Sequence, residues 1–157
     1  MQYKLLIFTI IMKLRFIFLG KKNSKPFDQK ISDYKQRLSR YVKLDCLSFD
    51  DSNLSKLEHK VISQIKNHDK LIVLDEKGDE FSTVNFSKFI NNHIMQNQSL
   101  VFLIGNAHGV PLNIRNKANY LMSLSKMTLP HMFARLIILE QSYRAFCILN
   151  NHPYHHE

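Results

Sequence analysis

Two short runs constrain this chain more than any other feature. Leu71, Ile72, Val73 and Leu74 stand unbroken between Lys70 and Asp75, and Leu100, Val101, Phe102, Leu103 and Ile104 stand unbroken before Gly105. A strand with one wet face alternates apolar and polar residues. A run of four or five that is apolar throughout reads as a strand covered on both faces, the setting of a central strand in a parallel sheet. Parallel strands need crossover connections, and those are usually helices.

The rest of the chain supplies them. Residues 14–19 read as a first strand, stopped by Gly20 and a turn over 21–24. Pro26 opens a helix whose apolar stripe is Phe27, Ile31, Tyr34, Leu38 and Tyr41, spaced for a 3.6-residue period. Residues 42–49 read as a second strand. Asp51 or Ser52 then caps a helix with stripe Leu54, Leu57, Val61 and Ile65. A turn over 75–78 follows the first apolar run, and Ser82 or Thr83 starts a helix carrying Phe86, Phe89, Ile90 and Ile94. Residues 120–124 form a weaker strand, and Pro130 opens a long helix to about Leu149. The expected fold is therefore α/β, a mostly parallel sheet flanked by helices. Its ligand site should lie beyond the carboxyl ends of the strands, at Leu74-Asp75, at the loop from Gly105 to Gly109, and over 124–129.

With 157 residues the chain is sized for one domain. Residues 1–11 read as an extension outside the fold, since Met12-Lys13-Leu14 is itself a plausible start, leaving 12–157 as the domain. The apolar run over 5–12 is too short to span a bilayer. Glycine is scarce, with only 4: Gly20, Gly78, Gly105 and Gly109. A dinucleotide fingerprint and a P-loop both need glycine patterns that do not occur here, so a nucleotide-like ligand would have to be held by other backbone. Cys46 and Cys147 are too few and too separated for a disulfide framework or a CxxC metal site, and read as reduced cysteines of a cytoplasmic protein.

The formal net charge is +9, and the excess is local. Between Lys13 and Lys43 lie ten basic residues against Asp28 and Asp33. A concentrated positive field draws polyanions. A merely lysine-rich surface is the competing account, and clustering brings nucleic acid level with it.

Several segments resemble one family. They are Leu103-Ile104-Gly105 with Gly109, the run Leu124-Ser125-Lys126-Met127-Thr128-Leu129-Pro130-His131, the segment Glu140-Gln141-Ser142-Tyr143-Arg144-Ala145, and the ending Asn151-His152-Pro153-Tyr154-His155. Together they are similar to the SPOUT-class methyltransferases that modify a pseudouridine at N3 in large-subunit ribosomal RNA, the methyltransferase H family. The resemblance covers about residues 12–157, and its specificity is concentrated in the C-terminal third.

The resemblance implies a SPOUT-type α/β knot with a C-terminal trefoil knot, a homodimer, S-adenosyl-L-methionine as cofactor and 23S rRNA within the ribosome as substrate, with no membrane and no metal. It places cofactor contacts at Leu74, Gly105, Gly109, Leu124, Ser125, Lys126, Met127, Thr128 and Leu129. These fall at the same strand ends that patterning selects. It also gives Tyr154, His155 and Arg144 the catalytic part. The imide nitrogen must lose a proton before it attacks, and His and Tyr can accept or relay one or stack on a base. Arg144 would grip RNA phosphate or anchor the tail. The plainer accounts are a frayed, solvated terminus for the tail and an i, i+4 ion pair with Glu140 for Arg144. Arg135 and Arg144, nine residues apart, cannot share one helix face. His131 reads as structural, Lys126 as either a phosphate neutraliser or solvated, and Asp75 as either a ribose acceptor or a turn residue.

One loop departs from the family pattern. Where Ile-Gly-Gly-x-x-Gly is usual, this chain has Ile104-Gly105-Asn106-Ala107-His108-Gly109. Asn tolerates positive φ better than other non-glycine residues, so Asn106 is expected to keep the loop's shape in that way. His108 puts a group that titrates near neutrality where a carboxylate is common. The departure motivates an alternative: a SPOUT-fold protein that binds RNA or the ribosome with catalysis weakened or lost.

Overall fold

In the computed structural model the described residues are 12–20, 25–50 and 52–156. The proposed extension over 1–11, the 21–24 turn and the Asp51 cap lie outside them. The unbroken apolar runs do become central strands. Elements follow in the order β1 (Lys13–Leu19), α1 (Lys25–Leu38), β2 (Lys43–Phe49), α2 (Leu54–Ser63), β3 (Lys70–Glu80), α3 (Thr83–Met95), β4 (Leu100–Ile104), α4 (Leu112–Arg115), β5 (Tyr120–Ser123) and α5 (His131–Leu149). The strands form one sheet in the order β2-β1-β4-β3-β5, and every pairing is parallel.

The pleat explains why the runs contain no polar residue. Leu14, Phe16 and Phe18 of β1, Ile72 of β3 and Leu100, Phe102 and Ile104 of β4 point to one face. There they meet Ile31 and Leu38 of α1, Phe86 and Ile90 of α3, and Ile138, Leu139 and Phe146 of α5. The residues between them, Ile17, Leu19, Leu71, Val73, Val101 and Leu103, point to the other face, under Leu57 and Val61 of α2 and Ile114 of α4. Both faces are dry, so both sets of positions must be apolar. Each side chain of this size contributes about 1.5–3 kcal/mol when fully buried. Phe16 and Phe102, on neighbouring strands, stack with ring centroids 5.3 Å apart. Arg15 is the polar exception. It lies at the start of β1, opposite Asp45 of β2, with Nη2 3.1 Å from the Asp45 carboxylate and Nη1 donating to the Gln64 carbonyl.

The structure differs from the sequence reading at three places. Residues 75–78 do not end β3. The strand pairs with β5 through Leu74↔Met122, loops out, and resumes at Asp79↔Met122 and Glu80↔Ser123. Gly78 permits this, since a Cβ there would lie 2.5 Å from the backbone of Leu121 and Met122. The cap of α2 is Asn53, whose side chain accepts from Lys56 N, and not Ser52. Finally, α4 is a single turn, too short to leave an amphipathic signature. Ser82 is the cap of α3, accepting from Asn85 N at 3.1 Å. Pro130 stands immediately before α5, where its missing N–H has no consequence.

Candidate active site: a cleft at the carboxyl edge of the sheet

Because β3, β4 and β5 run parallel, the loop within β3 and the loops that leave β4 and β5 lie on one edge. These loops and the start of α5 enclose a cleft of about 910 Å³, within the range of pockets that hold small ligands. Leu74, Ile104, Val110, Leu124, Leu129 and Ala134 give it apolar walls, Asp75, Glu76, Lys77 and Arg115 bring charge to it, and Leu112 and Met127 at the rim are 63% and 76% exposed.

Each loop is held by its own short-range bonds. Where β3 loops out, Asp75 accepts from Lys77 N at 2.8 Å and pairs with Arg115 Nε at 2.7 Å, tying the loop to α4. After β4, the chain turns back on itself. Gly109 N donates to the Asn106 carbonyl at 3.0 Å, and His108 N donates to Asn106 Oδ1 at 2.7 Å. A Cβ on Gly105 would lie 2.5 Å from the Gly109 carbonyl carbon. Gly109 itself has φ +83°, the left-handed region that glycine occupies without strain. After β5, the Ser123 hydroxyl donates to the Ser125 carbonyl at 2.8 Å, and Met127 N donates to Ser125 Oγ at 3.0 Å. Thr128 Oγ1 then crosses to Glu76 Oε2 at 2.9 Å, joining the third loop to the first.

The sequence-predicted cofactor residues therefore converge. Leu74, Gly105, Gly109, Leu124, Ser125, Met127, Thr128 and Leu129 all line the cleft. Lys126 does not; it is exposed between two residues that do. Asn106 keeps the loop's shape by a different device from the one expected. Its φ is not positive; its side-chain oxygen caps the turn instead. His131 lines the cleft from the first turn of α5. Arg115 is the residue that sequence reasoning missed. It sits on the one-turn α4, and the only signal for it was an unassigned Arg between the β4 loop and β5.

The predicted catalytic residues form a second cluster. Tyr154 places its hydroxyl 3.2 Å from both the Tyr34 hydroxyl of α1 and Glu140 Oε1 of α5. Glu140 Oε1 also accepts from Arg144 Nε at 2.9 Å and Nη2 at 2.6 Å. The Arg144 guanidinium lies 4.8 Å above the Tyr154 ring, and its Nη1 is 3.4 Å from His155 Nδ1. The tail is thus docked on α1 and α5, not frayed. Burial, the bond with Tyr34 and the Glu140 charge all push the Tyr154 phenol well above its ordinary range, so it stays protonated at neutral pH. Arg144, bonded to Glu140, is held more firmly charged. Arg135 is elsewhere, as its spacing required: it is 2% exposed, and Nη2 donates to the Leu19 carbonyl at 2.6 Å. None of Arg144, Tyr154 and His155 lines the cleft.

Among the described residues, no group of three His, Cys, Asp or Glu side chains is placed to hold a metal ion. Among them, too, no helix is long and apolar enough to cross a membrane.

A parallel sheet with a cleft at its carboxyl edge is the architecture of α/β proteins that bind small ligands at strand ends. Comparison with known proteins narrows this. Residues 12–155 match the family described as predicted SPOUT methyltransferases, and the chain belongs to that family. It is 39% identical over 157 residues to "Ribosomal RNA large subunit methyltransferase H" of Flavobacterium johnsoniae, an alignment covering 93% of this chain and 100% of the relative. It is 37% identical to the protein of that name from Clostridium perfringens, covering 92% and 99%. Among solved structures, a probable methyltransferase from Bordetella pertussis superposes with a TM-score of 0.56 at 7% identity, covering 88% of this chain and 96% of that one. The structural likeness shows the fold.

Proposed function

We propose that this chain is an S-adenosylmethionine-dependent methyltransferase that modifies N3 of a pseudouridine in 23S rRNA of the assembled ribosome. The observation that carries the reading is the convergence of three loops, at the positions the resemblance selects, on one cleft of about 910 Å³. The lining fits the cofactor: an apolar slot suits an adenine ring, and Ser125, Thr128 and loop backbone offer polar groups at its edge. The bound cofactor supplies an electrophilic methyl group on a sulfonium. The protein then has to hold donor and acceptor in line, because proximity and orientation are its main contributions to such a displacement.

Separation of the two clusters supports a homodimer. His131 lines the cleft and Arg144 anchors the tail, and thirteen residues of α5 put them about 20 Å apart. One chain cannot bring both to the same reacting atom, whereas a second copy can present its tail to the first copy's cleft. The trefoil knot that the resemblance implies for the C-terminal half belongs to this reading. So does a cytoplasmic location, where ribosomes are. The inactive alternative loses its motive at Asn106, whose side chain folds into its own turn through the His108 bond.

The test is transfer of labelled methyl from S-adenosylmethionine to ribosomes lacking the modification, followed by mass mapping. Label at N3 of a single 23S pseudouridine is expected. No label at saturating protein, with donor binding intact, would establish the inactive alternative instead.

A further inference from the structure

The tail cluster contains a chemical constraint at His155. Arg144 Nη1 lies 3.4 Å from His155 Nδ1. A guanidinium has donors and no acceptor, so Nδ1 must be the accepting nitrogen. That arrangement puts the ring proton on Nε2. Histidine tautomers are set in this way, by the bond the other nitrogen makes. His155 Nε2 has no protein partner among the described residues, and the ring is half-buried rather than exposed.

Arg144 is not free to choose its position. Nε and Nη2 both converge on Glu140 Oε1, leaving Nη1 directed to the histidine. Glu140 is fixed in turn. Its Oε2 accepts from Gln141 Nε2 at 2.8 Å, and Gln141 Oε1 accepts from Thr83 Oγ1 at 2.9 Å. The order of hydrogen bonds therefore runs from the start of α3 through Gln141, Glu140 and Arg144 to His155. Tyr154 donates to the same Glu140 oxygen.

We propose that Glu140 is a positioning residue for methyl transfer: through Arg144 it holds His155 as the neutral Nε2–H tautomer, so that the tail offers the target base a hydrogen-bond donor rather than a proton acceptor. The inference rests on the rRNA methyltransferase reading. N3 of a uracil-type ring is flanked by two carbonyls. When the N3–H bond breaks, the proton passes to water and negative charge spreads onto those oxygens. A donor fixed at the carbonyl lowers the cost of that charge, as an oxyanion-hole donor does. A histidine whose Nδ1 is already occupied by a guanidinium and whose Nε2 carries the proton has no lone pair left for N3–H. Its contribution is the donor, with the Arg144 charge behind it.

The tautomer can be read directly. Long-range ¹H–¹⁵N correlation spectra of the ¹⁵N-labelled full chain, with the His155 signals assigned by their loss in His155→Gln, should show an unprotonated Nδ1 and a protonated Nε2. In Glu140→Gln that preference should collapse toward a mixture. A protonated Nδ1 in the wild type, or an unchanged spectrum in Glu140→Gln, would overturn the proposal. Turnover supplies the second arm. His155→Gln keeps an N–H donor near the Nε2 position and cannot act as a base, so it should retain activity within about tenfold. His155→Ala should lose about 10²–10³-fold in kcat. Equal inactivity of the Gln and Ala variants would make His155 the base and sink the proposal. Donor affinity should match wild type in all three variants, since none of these side chains lines the cleft, and that measurement confirms that each has folded. If wild-type protein labels no ribosome, the function reading fails, and the tautomer measurement still decides the role of Glu140.

Discussion

At Gly105 the chain has room for a hydrogen atom and nothing larger. A Cβ would sit 2.5 Å from the Gly109 carbonyl carbon and 2.6 Å from its oxygen, and both of these are backbone atoms that cannot swing aside. The requirement comes from the loop closing on itself, before any ligand arrives. Forcing that loop open costs about 1–3 kcal/mol, the scale of local backbone strain. Gly105→Ala is therefore expected to weaken S-adenosylmethionine binding by about 5- to 100-fold, at about 1.4 kcal/mol per factor of ten. Isothermal titration checks this, and wild-type affinity in the variant would remove Gly105 from the site. Asn106 makes the complementary point. Its place in a loop usually built from glycine was legible as a departure, but its solution was not. A side-chain oxygen capping the His108 amide substitutes a local hydrogen bond for an unusual φ, and only coordinates reveal which device a residue uses.

Among the elements, strong periodicity made the helices legible and apolar runs made the strands legible. The stripe Phe27, Ile31, Tyr34 and Leu38 does face α5 and the sheet, and β4 spans Leu100–Ile104 as read. The errors fall where a local signal competes with a tertiary one. Asp75 and Gly78 look like a turn that ends a strand, yet pairing with β5 resumes beyond them because the sheet offers more hydrogen bonds than the turn alone. Four residues of α4 carry too little pattern to detect. The α3 cap gives an element-level prediction. Ser82→Ala removes the acceptor for Asn85 N and is expected to cost about 0.5–2 kcal/mol of stability, measured by urea unfolding, while leaving donor binding unchanged. A loss of donor affinity in that variant would mean that α3 positions the cleft more directly than its hydrogen bonds indicate.

For the molecule as a whole, charge and cleft are separable. Lys30 of α1 and Arg40 just beyond it are exposed and make no ion pair among the described residues. Their potential acts outward, into solvent. Reversing both, Lys30→Glu with Arg40→Glu, should weaken binding to ribosomal RNA and leave S-adenosylmethionine affinity unchanged. The slope of log affinity against log salt should fall by about 0.7–0.9 for each phosphate that the variant no longer neutralises. Filter binding over a salt series measures it. An unaltered slope would place the RNA on another face.

By itself the sequence determined that this chain builds a parallel sheet dry on both faces, and that any ligand would lie beyond the ends of β3, β4 and β5. Those conclusions follow from period and polarity, which are properties of neighbouring residues. The tertiary structure alone decided which residues meet. It brought Arg115 to Asp75 and Thr128 to Glu76 across the cleft, left Lys126 outside it, and bound the tail to Glu140. These pairs join segments far apart in the chain, or a helix and a terminus with no repeating pattern, and no local period encodes them. The separation of cleft from tail along α5 is of the same kind. Each was readable as a motif, while the distance between them exists only once the helix is folded between them.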